Sequence, residues 1–213
     1  MHPRIQLLAI AGGVALLPAP PQGDRCAKVE VEYVLAANLK VTDTPLGKGD
    51  GTYPIGPGAL VLRFEGDDVK VVSYRMHESI TVRARVAFWW ATVKTEANNA
   101  ATAVPCGSAA EAALDGKVLR WRTPVRNHRS DGTIACEGPG CGMFGAPALG
   151  TTDVHVEGDA QLGTFYFSPD MKTFTMPYAP PVSSETPKQT SQIAIAGREI
   201  RRTCVAGSCA PGR

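Results

Sequence analysis

The stretch ITVRARVAFWW, residues 80–90, decides the fold class. Ile80, Val82, Ala84, Val86, Phe88 and Trp90 fall on one side of an extended chain, while Thr81, Arg83 and Arg85 fall on the other. A period of two with an apolar and a charged side is the signature of a β-strand with one face buried. Continued to Val93, the pattern predicts one strand of roughly 35 Å or more, long enough to bend between sheets or to help close a barrel. On this reading Trp90 packs in the core. Trp89 shares a face with Arg83 and Arg85, where it is either covered by a loop or exposed as a contact point.

The same period recurs along the chain. Val29, Val31, Tyr33 and Leu35 alternate with Lys28, Glu30 and Glu32. Shorter alternating segments run over residues 59–65, 69–76, 117–123, 152–157, 162–167, 172–178 and 192–201, separated by turn signals. Glu65-Gly-Asp-Asp68 and Glu157-Gly-Asp159 read as tight hairpins, and Ser168-Pro-Asp170 as a type I turn. About nine strands at this spacing imply an all-β fold, an antiparallel sandwich or barrel with Greek-key or meander connections, stapled by disulfides. One short helix is expected: Ser108-Ala-Ala-Glu111 has the form of a capping box, the following alanines favour helix through Leu114, and Asp115-Gly116 stops it. Residues 179–189 read as a proline-containing loop.

Domain organisation follows from length and from the two ends. A chain of 213 residues suits one domain, here residues 24–209, with a fraying tail over 210–213. Arg4, the apolar run Ile5–Leu17 and the proline-rich junction ending at Gly23 have the form of an export signal over residues 1–23. The run is too short for the roughly 20 residues a spanning helix needs, so no integral span is expected once the signal is removed. Secretion, or residence in a periplasm or cell envelope, is the expected location.

Six cysteines fit an oxidising compartment. Cys136 and Cys141 frame one short loop, Cys204 and Cys209 another, and Cys26 with Cys106 forms the natural third pair. Six thiols allow 15 connectivities, so this pairing is a preference. The competing arrangement joins the two short loops in a four-thiolate zinc site, but their spacing is wider than usual and reduced thiols rarely persist outside the cytosol. Neither a metal nor a cofactor is expected.

A net charge of +2 gives no global reason to expect nucleic acid. The loop Leu46–Gly58 is glycine-rich, but its lysine lies between glycines and no helix pattern follows, so it lacks the order of a phosphate-binding loop. Asp43 and Asp50 do not match a calcium-loop pattern either. Residues 120–129, RWRTPVRNHR, hold four arginines, a histidine and a tryptophan. Arg120, Arg122, Arg126, His128 and Arg129, with Trp89, are the candidate ligand-binding residues: planar guanidinium groups match phosphate or carboxylate, and indole stacks on rings. The bland reading is a strand with Leu119 and Trp121 inward and Arg120 and Arg122 outward, followed by a polar loop. An apolar ligand inside a small barrel is a further option.

Catalysis has one candidate. Pro105-Cys-Gly-Ser108 places a thiol before the expected helix start, where the dipole lowers a thiol pKa, and His128 with Asn127 or His155 with Asp153 would serve as base and orienter. A cysteine-dependent hydrolase on Cys106 is thus the alternative. Glu30, Glu32, Glu65, Glu78 and Glu157 show no spacing that pairs two carboxylates across a cleft. The favoured reading is an exported β-domain acting by binding or structure, with an anionic polysaccharide, a lipid head group or an envelope protein as partner.

Overall fold

Alternation resolves into twelve strands in the computed structural model, which describes residues 28–42, 51–86, 88–103, 108–143, 146–160, 162–178, 182–185 and 188–205. They are β1 (Val29–Thr42), β2 (Gly51–Glu65), β3 (Asp68–Val86), β4 (Trp89–Thr102), β5 (Ala112–Asp115), β6 (Val118–Trp121), β7 (Val125–Glu137), β8 (Gly150–Ala160), β9 (Phe165–Phe167), β10 (Thr173–Met176), β11 (Val182–Glu185) and β12 (Lys188–Cys204). All the ladders between them are antiparallel. The ring β2-β1-β12-β10-β9-β6-β5-β3 closes because β3 also pairs with β2. The fold is therefore a closed eight-stranded barrel, not a sandwich, and it carries more strands than the nine expected.

The barrel interior is filled from one face of each strand. Val31, Tyr33, Leu60, Leu62, Val69, Val71, Leu119, Phe165, Phe174 and Met176 are all sealed from solvent. Phe174 is the hub: it stacks on Phe165 at 4.5 Å and meets Tyr33 and Phe167 edge-on or tilted at 5.2 and 5.4 Å. Gly197 of β12 lies opposite Phe174, and a Cβ there would overlap its ring. Tyr33 spends its hydroxyl on the Met171 carbonyl at 3.1 Å, and burial raises its pKa. The outer face carries cross-strand ion pairs, Arg63 with Glu30 at 2.6 Å and Arg201 with Glu32 at 2.9 Å. An apolar inside and a charged outside invert the plan of a bilayer-spanning barrel. Among the described residues no helix is long and apolar enough to cross a membrane either.

β3 belongs to two structures. Residues 68–76 pair with β2 inside the barrel, whereas residues 73–86 pair with β4, which continues to β7 and β8. The distal parts of these four strands leave the barrel as an open antiparallel sheet, here called the wing. Ala101 of β4 lies in the barrel core and Trp89 at the far end, twelve residues or at most roughly 40 Å away.

Several expectations are corrected by this architecture. The run 80–93 is not one strand: the chain reverses between Val86 and Trp89 and the two halves pair. No helix forms over 108–114 among the described residues. Ala112–Asp115 is a strand that turns at Gly116 into β6. The reason is Glu111, which is 2% exposed. β5 pairs with β3 only as far as Val69, and β4 begins pairing at Ser73, leaving a gap in the ladder. The Glu111 carboxylate fills it, accepting from the Val71 amide at 2.8 Å and, at 3.4 Å, from the Arg126 amide. A glutamate expected to cap a helix instead completes a sheet, because a buried unpaired amide costs more than alanine helix propensity returns.

The loop expected over Leu46–Gly58 is strand from Gly51 onward, Glu157-Gly-Asp159 lies within β8, and residues 125–129 and 182–185 are strand too. The Glu65–Asp68 hairpin and the Ser168-Pro-Asp170 turn form as expected, the latter with the Met171 amide donating to the Ser168 carbonyl at 3.0 Å. Cys136 and Cys141 are bonded as expected, and Cys204 is also disulfide-bonded. Cys26, Cys106, Cys209 and the export signal lie outside the described residues.

Candidate functional site

Reversal of the chain between Val86 and Trp89 reverses the expected placing of the two tryptophans. Trp90 pairs with Arg85 and so joins the arginine face, with the Arg83 guanidinium carbon 4.7 Å from its ring centre. Trp89 pairs with Val86 on the opposite face. Phe88, in the turn, is 85% exposed, and both indoles stay about half exposed. Nine large hydrophobic residues stand exposed among the described residues, and five of them, Phe88, Trp89, Trp90, Met143 and Leu149, belong to this end of the wing. Met143 and Leu149 come from the β7–β8 connection, whose flanks Glu137 and Gly150 pair near the same end.

The connection is held against the hairpin by its disulfide loop. The Gly140 amide donates to the Trp90 carbonyl at 3.0 Å. Cys136 and Ala91 bury each other, with Val93, Cys141 and Ala146 packed around them. Gly138, at φ 111°, passes so close that a Cβ would stand 2.6 Å from the Trp90 oxygen. Only glycine permits both that backbone and that approach. The aromatic end is thus buttressed from one face.

Charge is graded along the other face. Its distal rows hold Arg85, Arg83 and Lys94, with Glu137 alone opposing them through an ion pair to Lys94 at 2.7 Å. Farther back, Glu96, Asp131, Asp153 and Glu157 share the face with His77, His155 and Arg129. His155 contacts Asp131 at 2.6 Å and Glu157 at 3.4 Å, and Arg129 is bound to Asp131. Hydrogen bonds from Arg129 and His155 hold the Asp131 carboxyl below its usual range. The wing is cationic at its end and acidic in its middle.

The arginines singled out in the sequence do not converge. Arg120 and Arg122 project outward from the β5–β6 hairpin, as alternation predicts, and Arg122 is paired with Asp68 at 2.9 Å. Arg129 lines a hollow of about 420 Å³ with His128, but Glu157 and Asp159 line it too, so its charge is offset. Trp89 is eleven residues along β4 from the partner of Arg129, at most roughly 36 Å away. A second groove, of about 440 Å³, lies where the small residues Ala59 and Ala100 flank Arg75. The void among Leu60, Tyr74, Val125 and His128 at the barrel end is about 40 Å³, well short of a ligand pocket.

Little of the catalytic pattern assembles. His128 sits against the Tyr74 ring at 6.4 Å, where burial lowers its pKa and, chiefly, raises that of Tyr74 to about 12. His155 takes Asp131 and not Asp153 as its partner. Cys106 falls outside the described residues. Glu30, Glu32 and Glu65 each face a cation from a neighbouring segment, Glu157 contacts His155 two residues back on β8, and Glu78 accepts from Asn99. The distal end is legible only in part: alternation leaves Trp89 covered or exposed on the arginine face and turns Phe88 and Trp90 inward, whereas all three are exposed and it is Trp90 that joins the arginines. The sequence carries no glycine or proline between Val86 and Trp89 to mark the reversal there. No protein-family model, curated protein or solved structure matches the chain.

Proposed function

We propose that this protein is an exported binding module: the barrel is a rigid support, and the distal end of the wing docks onto an anionic surface. The observation that carries the reading is the gathering of Phe88, Trp89, Trp90, Met143 and Leu149 at one end, with Arg83 and Arg85 directly behind. Exposing aromatic surface to water is costly, and concentrated patches mark interaction sites. Arg83 and Arg85 make no ion pair among the described residues, so their charge is available to a partner. Export is supported by the N-terminal pattern and the Cys136–Cys141 bond.

The test is retention of the purified full chain on a panel of anionic materials: a sulfated polysaccharide resin, a polyphosphate resin and anionic lipid vesicles. Wild type binds at least one of them, and Phe88→Ser with Trp89→Ser weakens that binding by roughly tenfold or more. Arg120→Ala with Arg122→Ala leaves it unchanged. Failure of wild type on every material, or loss of binding in the Arg120 and Arg122 variant alone, overturns the reading.

A further inference from the structure

Resting on docking through the distal end, we infer that its target is the interface of an anionic lipid bilayer, which the β3–β4 turn enters end-on. Three features of the wing select lipid over a protein groove or a sugar chain.

The first is that exposed aromatic rings stand on both faces of the end and at its tip. Trp89 and Trp90 lie on opposite faces and Phe88 caps the turn between them. A protein partner covers one face of a sheet, and a sugar stacks on a one-sided platform flanked by polar groups. An aromatic end with no preferred side suits a medium that surrounds it, and indole rings prefer the depth of the head groups.

The second is where the charges stand. Arg85 lies level with Trp90, Arg83 two residues behind it and Lys94 four, all within roughly 15 Å along the strand. Cations at that distance meet phosphate head groups while the rings reach the acyl boundary. The carboxylates Glu96, Asp131, Asp153 and Glu157 stand farther back on the same face. They repel an anionic surface if the wing lies flat, whereas end-on Arg83 and Arg85 lead, and Glu137 in the row of Arg83 is offset by Lys94.

The third is stiffness. The Gly140 amide on the Trp90 carbonyl and the Cys136–Cys141 bond behind Ala91 fix the hairpin end before contact. Little ordering is then charged against binding.

The experiment uses the oxidised full chain with vesicles of phosphatidylcholine alone and of phosphatidylcholine mixed with phosphatidylglycerol, read by co-sedimentation and tryptophan emission. Binding is expected on the mixed vesicles only, weakened by salt, with a blue shift and with quenching by lipids brominated along the acyl chain. Trp121 does not contribute, because its indole already donates to the Gly163 carbonyl at 2.9 Å against the core. Arg83→Gln with Arg85→Gln weakens binding by roughly tenfold to thirtyfold, following about 1 kcal/mol per cation at the surface. Trp89→Phe with Trp90→Phe abolishes the blue shift while binding persists. An unchanged thermal midpoint shows each variant to be folded.

Binding to sulfated polysaccharide but not to mixed vesicles overturns the lipid inference and leaves docking through the wing standing. Vesicle binding that the Arg83 and Arg85 variant and Phe88→Ser do not alter overturns both.

Discussion

The barrel and the wing are made of the same alternating strands and share β3, yet they treat their side chains differently. In the barrel, inward residues from eight strands meet one another, and Tyr33, Phe165 and Phe174 lose all contact with water. In the wing the sheet stays open. One face carries ion pairs and histidines, and the other is covered near the end by the disulfide loop against Ala91 and Cys136. Alternation says which residues share a face; closure of the sheet decides whether that face is dry. On the proposed docking, this difference divides the labour: the closed part supplies stability and the open part supplies reach.

The sharpest way to break the comparison is to remove the barrel's hub. Phe174→Ala is expected to cost about 3 to 5 kcal/mol of unfolding free energy in a denaturant titration, the range for emptying a well-packed aromatic site. A cost under about 1 kcal/mol would mean that the interior is not the source of stability. Next comes the junction. Glu111→Leu strands the buried Val71 amide without an acceptor and is expected to cost about 2 to 3 kcal/mol. Hydrogen exchange at Val71 should accelerate more than exchange at Val31, two strands away around the ring.

Within the wing, Cys136→Ser with Cys141→Ser reopens a short loop and is expected to cost about 2 kcal/mol on the loop-entropy relation. Its mark should be faster exchange at Gly140 and Ala91 while β1 and β12 remain protected. A smaller effect comes from pH. Burial holds the His128 imidazole below its ordinary value of 6.5, so the unfolded chain takes up a proton before the folded chain does. Stability is therefore full above about pH 6.5 and declines as pH falls below it, until the folded ring itself titrates. His128→Gln should flatten that decline. Asp131 and Glu199, held low by hydrogen bonds from Arg129 and Arg202, contribute stability that is lost only at more acid pH, below their ordinary carboxyl range. The smallest effect is predicted at the wing's end, where Phe88→Ser shifts unfolding free energy by no more than about 0.5 kcal/mol, because the ring is already in water. A large loss there would place Phe88 inside the fold.

The two regions were also unequally legible. Most of the barrel could be read from residues: the faces of Val31, Tyr33 and Leu35, the hairpin at Glu65–Asp68, and the inward Leu119 and Trp121 all stand where alternation puts them. The helix over Ser108–Leu114 failed because the demand that placed Glu111 came from Val71 and Arg126, which are distant in sequence. The wing's end failed for a local reason. The apolar pattern runs through Ala87 and Phe88 without interruption, so nothing in the order of residues marks the reversal that turns Trp90 toward Arg83.

By itself, the sequence determined an all-β chain and the face on which most alternating residues lie, and it favoured a short loop closed by Cys136 and Cys141, which the structure bonds. Those follow from the two-residue repeat of an extended backbone and from spacing that a local disulfide can bridge. Only the tertiary structure decided that eight strands close into a ring, that β3 leaves it, and that five hydrophobic residues stand exposed at the end of the wing. Closure depends on the β2–β3 and β3–β5 pairings and on Glu111 filling the gap between neighbours of β3, and such long-range hydrogen bonds leave no periodic trace in the chain.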